Sequence, residues 1–221
     1  PVGKSGVRHY NESLPSQCVE CIAGYFQTEK GRTFCEPCMP GKANNNRGSG
    51  DECATCPRGK FTDAIAAKIC KDCDTGMRQP LNNSALCFNC AVGQYNDQMS
   101  QTECKKCIEG RYNDDASTAK SLHDSTMDCK VCLPGLYQNL QGASNCKNCP
   151  PGSYSEKNST TQCVLCDPGK YFDGLASKNS SDCENCASGK YQNSYGNGDC
   201  KECDLFSVKI DEKLPAIDAQ A

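Results

Sequence analysis

The chain has no tryptophan, two histidines, and few of the large apolar residues that ordinarily make a core. Leu, Ile, Val and Phe account for 30 of its 221 residues. That is about 14%, below the roughly 20% at which burial alone holds a fold. No apolar run approaches the 18 residues of a membrane span, and Pro1-Val2-Gly3-Lys4 does not lead into the apolar stretch of a signal peptide. Neither sign of charge dominates: the net charge is -3, and Lys and Arg are scattered singly. There is thus no basic stripe for nucleic acid and no acidic tail. Gly-x-Ser-x-Gly, His-Glu-x-x-His and a phosphate-cradling loop are all absent, which removes the usual hydrolase, metalloprotease and nucleotide-binding signatures.

What the chain has instead is cysteine, 22 residues of it, and all of it falls in eleven Cys-x-x-Cys pairs. The pairs start at Cys18, Cys35, Cys53, Cys70, Cys87, Cys104, Cys129, Cys146, Cys163, Cys183 and Cys200. Seven of the ten steps are 17 residues, and the others are 18, 25 and 20. A near-constant period marks a repeat array in which each unit leans on its neighbours, a stapled rod or solenoid without one central core. Cross-links compensate for weak burial by restricting the unfolded chain. Four Asn-x-Ser/Thr sequons, at Asn11, Asn82, Asn158 and Asn179, are weak signals singly. Beside so many cysteines they favour a secreted or cell-surface protein.

The repeating unit reads Cys-x-x-Cys-x-x-Gly-x-aromatic, followed by a polar stretch. Its glycine recurs in ten units, from Gly24 and Gly41 to Gly169 and Gly189, and a glycine at one register supplies a positive φ or a close backbone approach. In Met39-Pro40-Gly41, Leu133-Pro134-Gly135, Pro150-Pro151-Gly152 and Asp167-Pro168-Gly169 a proline fixes the turn further. Two residues on stand Phe26, Phe61, Tyr95, Tyr112, Tyr137, Tyr154, Tyr171 and Tyr191, with Ala43 and Arg78 breaking the rule. Each ring is expected to cover a neighbouring disulfide as a miniature core. An aromatic ladder for ligands is the other reading, and the lack of Trp weighs against its sugar-binding form. The polar remainder predicts short two-stranded ribbons and irregular loops, with a helical turn plausible only at Ala64-Ile65-Ala66-Ala67. The extra residues of the long steps, at 120–128 and 175–182, fall in one slot and read as surface loops on one side.

The remaining chemistry is thin. Zinc uses a similar paired spacing, but eleven pairs do not divide into four-cysteine sites, and only His9 and His123 could complete mixed ones. Thiol redox catalysis uses one Cys-x-x-Cys at a helix N-terminus, which eleven copies on turn-rich ribbons do not resemble. His9 lies in the leader and His123 in an insertion, and both read as solvent-exposed. Asn113-Asp114-Asp115 and Asp51-Glu52 cluster oxygens that calcium favours, yet neither repeats nor matches a known loop. The chain reads as non-enzymatic, with no catalytic, cofactor or metal residues.

The Cys-x-x-Cys-x-x-Gly-x-Tyr unit resembles the ephrin-receptor-like cysteine-rich repeat and is similar to the first module of tumour-necrosis-factor-receptor repeats. Long arrays of such units look like those in extracellular proteins of algae and other protists. The resemblance covers about residues 18–203. It implies bonds from the second cysteine of each motif to the first of the next: Cys21–Cys35, Cys38–Cys53, Cys56–Cys70, Cys73–Cys87, Cys90–Cys104, Cys107–Cys129, Cys132–Cys146, Cys149–Cys163, Cys166–Cys183 and Cys186–Cys200. An interlaced scheme is the rival, since sequence alone does not set connectivity. Under the implied pairing Cys18 and Cys203 are left wanting partners outside the array.

The expected fold is therefore small and disulfide-rich, an elongated tandem array of short two-stranded β-ribbons and irregular loops with little helix. Residues 1–17 read as a leader or linker and 18–203 as the array. Residues 204–221 read as a tail or the start of a following segment, since Phe206 replaces the glycine and Ser207-Val208-Lys209-Ile210 alternates like a short strand. The expected function is structural: a rod built into an extracellular filament, appendage or matrix by self-association or with other proteins. It would carry possible N-linked glycans and make no nucleic-acid contact or membrane insertion through this segment. A receptor-type ectodomain that binds a protein ligand through one face is the alternative.

Overall fold

Every motif glycine turns the chain sharply, and the two residues after it pair with the two residues between the cysteines of the next motif. Tyr25 and Phe26 pair with Pro37 and Glu36, Lys60 and Phe61 with Asp72 and Lys71, and Leu136 and Tyr137 with Asn148 and Lys147. The structure is a computed structural model that describes residues 2–7 and 17–203. Those residues form eleven antiparallel two-stranded ribbons and no other sheet. The expected disulfide-rich ribbon array is the observed fold. It divides into two compact units, Pro1–Cys132 with Gln138–Cys146, and Leu133–Tyr137 with Lys147–Ala221.

Ten disulfides join the second cysteine of each motif to the first of the next, from Cys21–Cys35 through Cys107–Cys129 to Cys186–Cys200. Each closes the loop that its ribbon opens, so one ribbon and one staple make one repeat. Seven of the loops span 14 residues. In the chain-entropy account a loop of that size contributes about 3 kcal/mol.

Successive repeats are stitched by backbone hydrogen bonds. The glycine N–H donates to the carbonyl three residues past the next glycine, as in Gly24 to Asn44 (2.7 Å), Gly76 to Asn96 (2.7 Å) and Gly152 to Phe172 (2.7 Å). The carbonyl of the second cysteine accepts from the loop of the following unit, as in Ala66 to Cys38 (2.7 Å) and Ala176 to Cys149 (2.9 Å). Reach extends to the second neighbour as well. Gly24 has φ 91°, and a Cβ there would overlap the carbonyl of Ala66 two repeats on. Only glycine meets both conditions.

The same pattern runs back before Cys18. Lys4–Val7 pairs with Gln17–Glu20. Gly3 has φ 74°, donates to Gln27 at 2.7 Å and accepts from Cys21 at 2.9 Å. Gly3 thus stands where a motif glycine would, and the segment expected as a leader contributes a ribbon. His9, Asn11 and the residues from 204 onward, with the expected 207–210 strand, lie outside the described residues.

The expected helical turn is overturned. Ala64-Ile65-Ala66-Ala67 is a bend and turn without helix, with Ala66 at φ 57°, a left-handed conformation that a helix does not admit. Among the described residues the helical turns are three short 3₁₀ segments in the two long loops, Lys120–Leu122, Thr126–Asp128 and Ser180–Asp182. The rings form only part of the interior. Seven of the eight rings are half-buried and Tyr191 is 44% exposed.

The interior is made of the second cysteines, Cys21 to Cys166, each no more than 1% exposed, and of the residue just after each ring. In a strand neighbours face opposite sides; the ring points out, so its successor points in. The residues at that place are Gln27, Asn44, Thr62, Gln79, Asn96, Asn113, Gln138, Ser155 and Gln192, all buried, Asn44 and Gln79 following Ala43 and Arg78, with the half-buried Phe172 completing the series.

Candidate functional site

A polar column inside a protein requires partners, and the irregular loops provide them. Gln27 Nε2 donates to the Phe34 carbonyl (2.7 Å), Gln138 Nε2 to Asn145 (2.7 Å) and Gln192 Nε2 to Asp199 (2.9 Å), in each case seven residues on. The side-chain oxygen accepts the N–H two residues on, as Gln79 does from Leu81 (2.9 Å) and Asn44 from Asn46 (3.0 Å). In these loops one amide thereby spans the loop and satisfies backbone that forms no ladder. The column is a shape-keeping device. Its sequence signal was present, a run of Gln, Asn, Thr and Ser after the ring, but polar character alone reads as surface.

The longest loop, closed by Cys107–Cys129 over 22 residues, departs most from the pattern, and its residues converge on His123. This histidine was expected at the surface and is instead completely buried. Nδ1 lies 2.7 Å from the Gln94 carbonyl, and Nε2 lies 2.8 Å from the Asp115 carboxylate. The His123 carbonyl accepts the Asn96 N–H at 2.7 Å. Asn113 Nδ2 sits 3.3 Å from Nδ1 and donates to Leu122 at 2.9 Å. The imidazole replaces the packing that shorter loops obtain from their own backbone.

Asp115 is held ionised to about pH 2, first by the Thr118 hydroxyl and further by His123 and the Thr118 amide. The Thr118 hydroxyl lies 2.5 Å and its amide 2.9 Å from that carboxylate. Ser125 and Asp128 form a capping box on the Thr126–Asp128 turn, and Lys120 forms an ion pair with Asp74, two repeats back. Most of the clustered oxygens considered for calcium are engaged as well. Asp114 binds Lys130 at 2.6 Å, Asn113 is buried, and Glu52 faces Lys42 at 3.5 Å. Among the described residues no group of three or more His, Cys, Asp or Glu side chains is placed to hold a metal ion.

The outward rings carry a second repeated arrangement. The residue opposite the ring across the ribbon is a lysine in several units, and its ammonium lies 5.9 Å from the ring centre in Phe61–Lys71, Tyr112–Lys130 and Tyr137–Lys147. In two of these units an aspartate two residues past the ring completes the group, Asp63 with Lys71 at 3.2 Å and Asp114 with Lys130 at 2.6 Å. Exposed pairs of this kind contribute about 0–1 kcal/mol. They make a patterned, nearly neutral face.

A groove of about 250 Å³ opens beside the long loop, between Tyr95, Ile108, Arg111 and the exposed Met127. Cys18 and Cys203 carry exposed free thiols. Asn82, Asn158 and Asn179 are all exposed.

A family model described as tyrosine-protein kinase ephrin type A/B receptor-like matches residues 120–166. Those residues are an ephrin-receptor-like cysteine-rich repeat. The flanking repeats share the disulfide, glycine and ribbon geometry of that segment. No curated protein matches the chain. The ephrin-receptor-like repeat is a receptor-like module and not a catalytic fold.

Proposed function

We propose that this chain is a non-enzymatic extracellular structural protein, a disulfide-stapled array contributing to a cell-surface filament, appendage or matrix. The observation that carries this reading is uniformity. Repeat after repeat devotes its glycine, its staple and its buried amide to holding the next repeat in place, and the same elements recur with little local specialisation. Ten disulfides fit an oxidising, extracellular compartment, as does the ephrin-receptor-like repeat. Self-association or assembly with other proteins would use the patterned outer faces and the exposed thiols of Cys18 and Cys203. Asn11, Asn82, Asn158 and Asn179 are the places for N-linked glycans.

Negative-stain imaging under non-reducing conditions, across a dilution series, tests this directly. Ordered assemblies that persist on dilution are the expected result. Single molecules at every concentration would instead favour a receptor-type ectodomain that binds a protein ligand. That second reading draws on one feature, the apolar groove beside the long loop, where Ile108 and Met127 are 59% and 80% exposed next to the Arg111 guanidinium. Loss of binding to a protein ligand on Met127→Asp would support it.

A further inference from the structure

Each described loop in the compact units has one residue in the left-handed conformation, and the residue before it projects from the surface. Ala66, Asn83 and Ser100 occupy that place in three consecutive repeats, with φ 57°, 58° and 61°. Their N–H groups donate to the carbonyls of Cys38, Cys56 and Cys73 at 2.7, 2.8 and 2.8 Å. The bonds are equivalent, so Ile65, Asn82 and Met99 stand in a row one repeat apart. All three are exposed, Ile65 at 63% and Met99 at 53%. The second compact unit repeats the arrangement. Asn158 precedes Ser159 (φ 57°), and Leu175, 61% exposed, precedes Ala176 (φ 58°) in the next repeat.

Two of the sequons therefore sit at one register, whose large apolar members are Ile65, Met99, Leu175 and Tyr195 and whose other members are Lys30, Arg47, Ala116 and Gln141. Their local geometry also agrees. The hydroxyl two residues on turns back to the carbonyl just before the asparagine, Ser84 to Leu81 at 3.4 Å and Thr160 to Lys157 at 2.8 Å. The Asn82 Oδ1 accepts the Arg58 N–H at 3.0 Å, and its Nδ2 donates to no group among the described residues. A substituent on Nδ2 leaves the Oδ1 bond intact, and the amide is thereby oriented outward. Asn179 occupies a different place, at the head of the Ser180–Asp182 turn.

We propose that Asn82 and Asn158 carry N-linked glycans whose task is to cover the exposed apolar side chains at the same register, Ile65 and Met99 beside Asn82 and Leu175 beside Asn158. The proposal rests on the extracellular reading above. The donor is a lipid-pyrophosphate-linked oligosaccharide. A bond forms between Nδ2 and the anomeric carbon of its first sugar, the bond from that carbon to the pyrophosphate oxygen breaks, Nδ2 gives up one proton, and the lipid pyrophosphate leaves. Isolated exposed apolar residues are ordinary on protein surfaces, whereas a row of them is an association hazard; a hydrated glycan between Ile65 and Met99 interrupts that row.

The test is the chain secreted from a eukaryotic cell, with intact mass and peptide mapping before and after an endoglycosidase that leaves aspartate where a glycan stood. Conversion at positions 82 and 158 is expected. Ser84→Ala and Thr160→Ala keep both asparagines and should each remove one glycan. Each should also raise binding of an apolar-surface dye at least twofold over the parent. Secreted, fully disulfide-bonded protein with unmodified Asn82 and Asn158 would overturn the proposal and leave the extracellular reading standing. Glycans whose removal leaves dye binding unchanged would overturn the shielding role. A chain that is retained in the cytosol with free thiols would overturn both readings.

Discussion

At the scale of single residues, the left-handed loop position and the motif glycine are two halves of one contact. Ala66 holds φ 57° because its carbonyl fills the space that the absent Gly24 side chain leaves. An L-residue pays about 1–2 kcal/mol in that conformation, and glycine loses about 0.5–1 kcal/mol in unfolded-state entropy. Ala66→Gly is therefore expected to be neutral to stabilising by up to about 1 kcal/mol in denaturant unfolding. Gly24→Ala, in contrast, meets both the positive φ and the Ala66 carbonyl, and should destabilise by about 2–3 kcal/mol or more.

The other telling residue is Asp115. Its folded value of about 2 lies below the ordinary 3.8, so the carboxylate favours the folded loop at every pH above the unfolded value. That contribution fades as pH falls toward about 2. Hydrogen exchange at the Thr118 amide should therefore accelerate between about pH 4 and pH 2 relative to that of Gly24. Unchanged relative protection across that range would show that Asp115 does not hold the turn. Replacing His123 by Ala should release the same loop, because it removes the buried ring that lies between the Asp115 carboxylate and the Gln94 carbonyl.

At the scale of the repeat, one ribbon and one disulfide close a loop of mostly 14 residues around one inward side chain, an amide in most repeats. Repeats of this kind are stabilised by their own staple and by interfaces with near neighbours. Cys56→Ala with Cys70→Ala should cost about 3 kcal/mol. The damage should also be local: the amides of Ala66 and Asn44, which bond to and from the affected loop, lose protection from exchange. The Gly169 amide, bonded to Gln192 at 2.7 Å, keeps it. Uniform loss along the chain would mean that the repeats fold as one cooperative block. The buried amide is the part of the repeat that eluded sequence reading. Gln27 or Gln79 looks like any surface glutamine until the pleat is known. The pleat of the ribbon, which sends neighbouring residues to opposite sides, turns it inward.

For the molecule as a whole, cross-links carry what apolar burial does not. Strong reductant should therefore abolish the near-ultraviolet signal of the tyrosines at temperatures where a chelator changes nothing. The opposite pair of outcomes would restore a metal-held fold. The ring and lysine pairs recur on the outer faces of several repeats. The exception is the long loop, where His123, Lys120 and the groove by Met127 break the monotony.

Sequence by itself determined the repeat, its period, the glycine turn, the ribbon and the dependence on cysteine. Each of these is a local rule written at fixed spacing, and a local rule repeated ten times is hard to misread. Tertiary structure decided which side of the ribbon faces inward, and therefore that the interior is cysteine and amide while most of the rings are half-buried. It decided too that His123 is buried, that Ala66 turns left-handed, and that a glycine answers to a carbonyl two repeats away. These depend on how one repeat stacks on the next. Stacking is set by backbone carbonyls and N–H groups, which every residue carries alike and no sequence pattern displays.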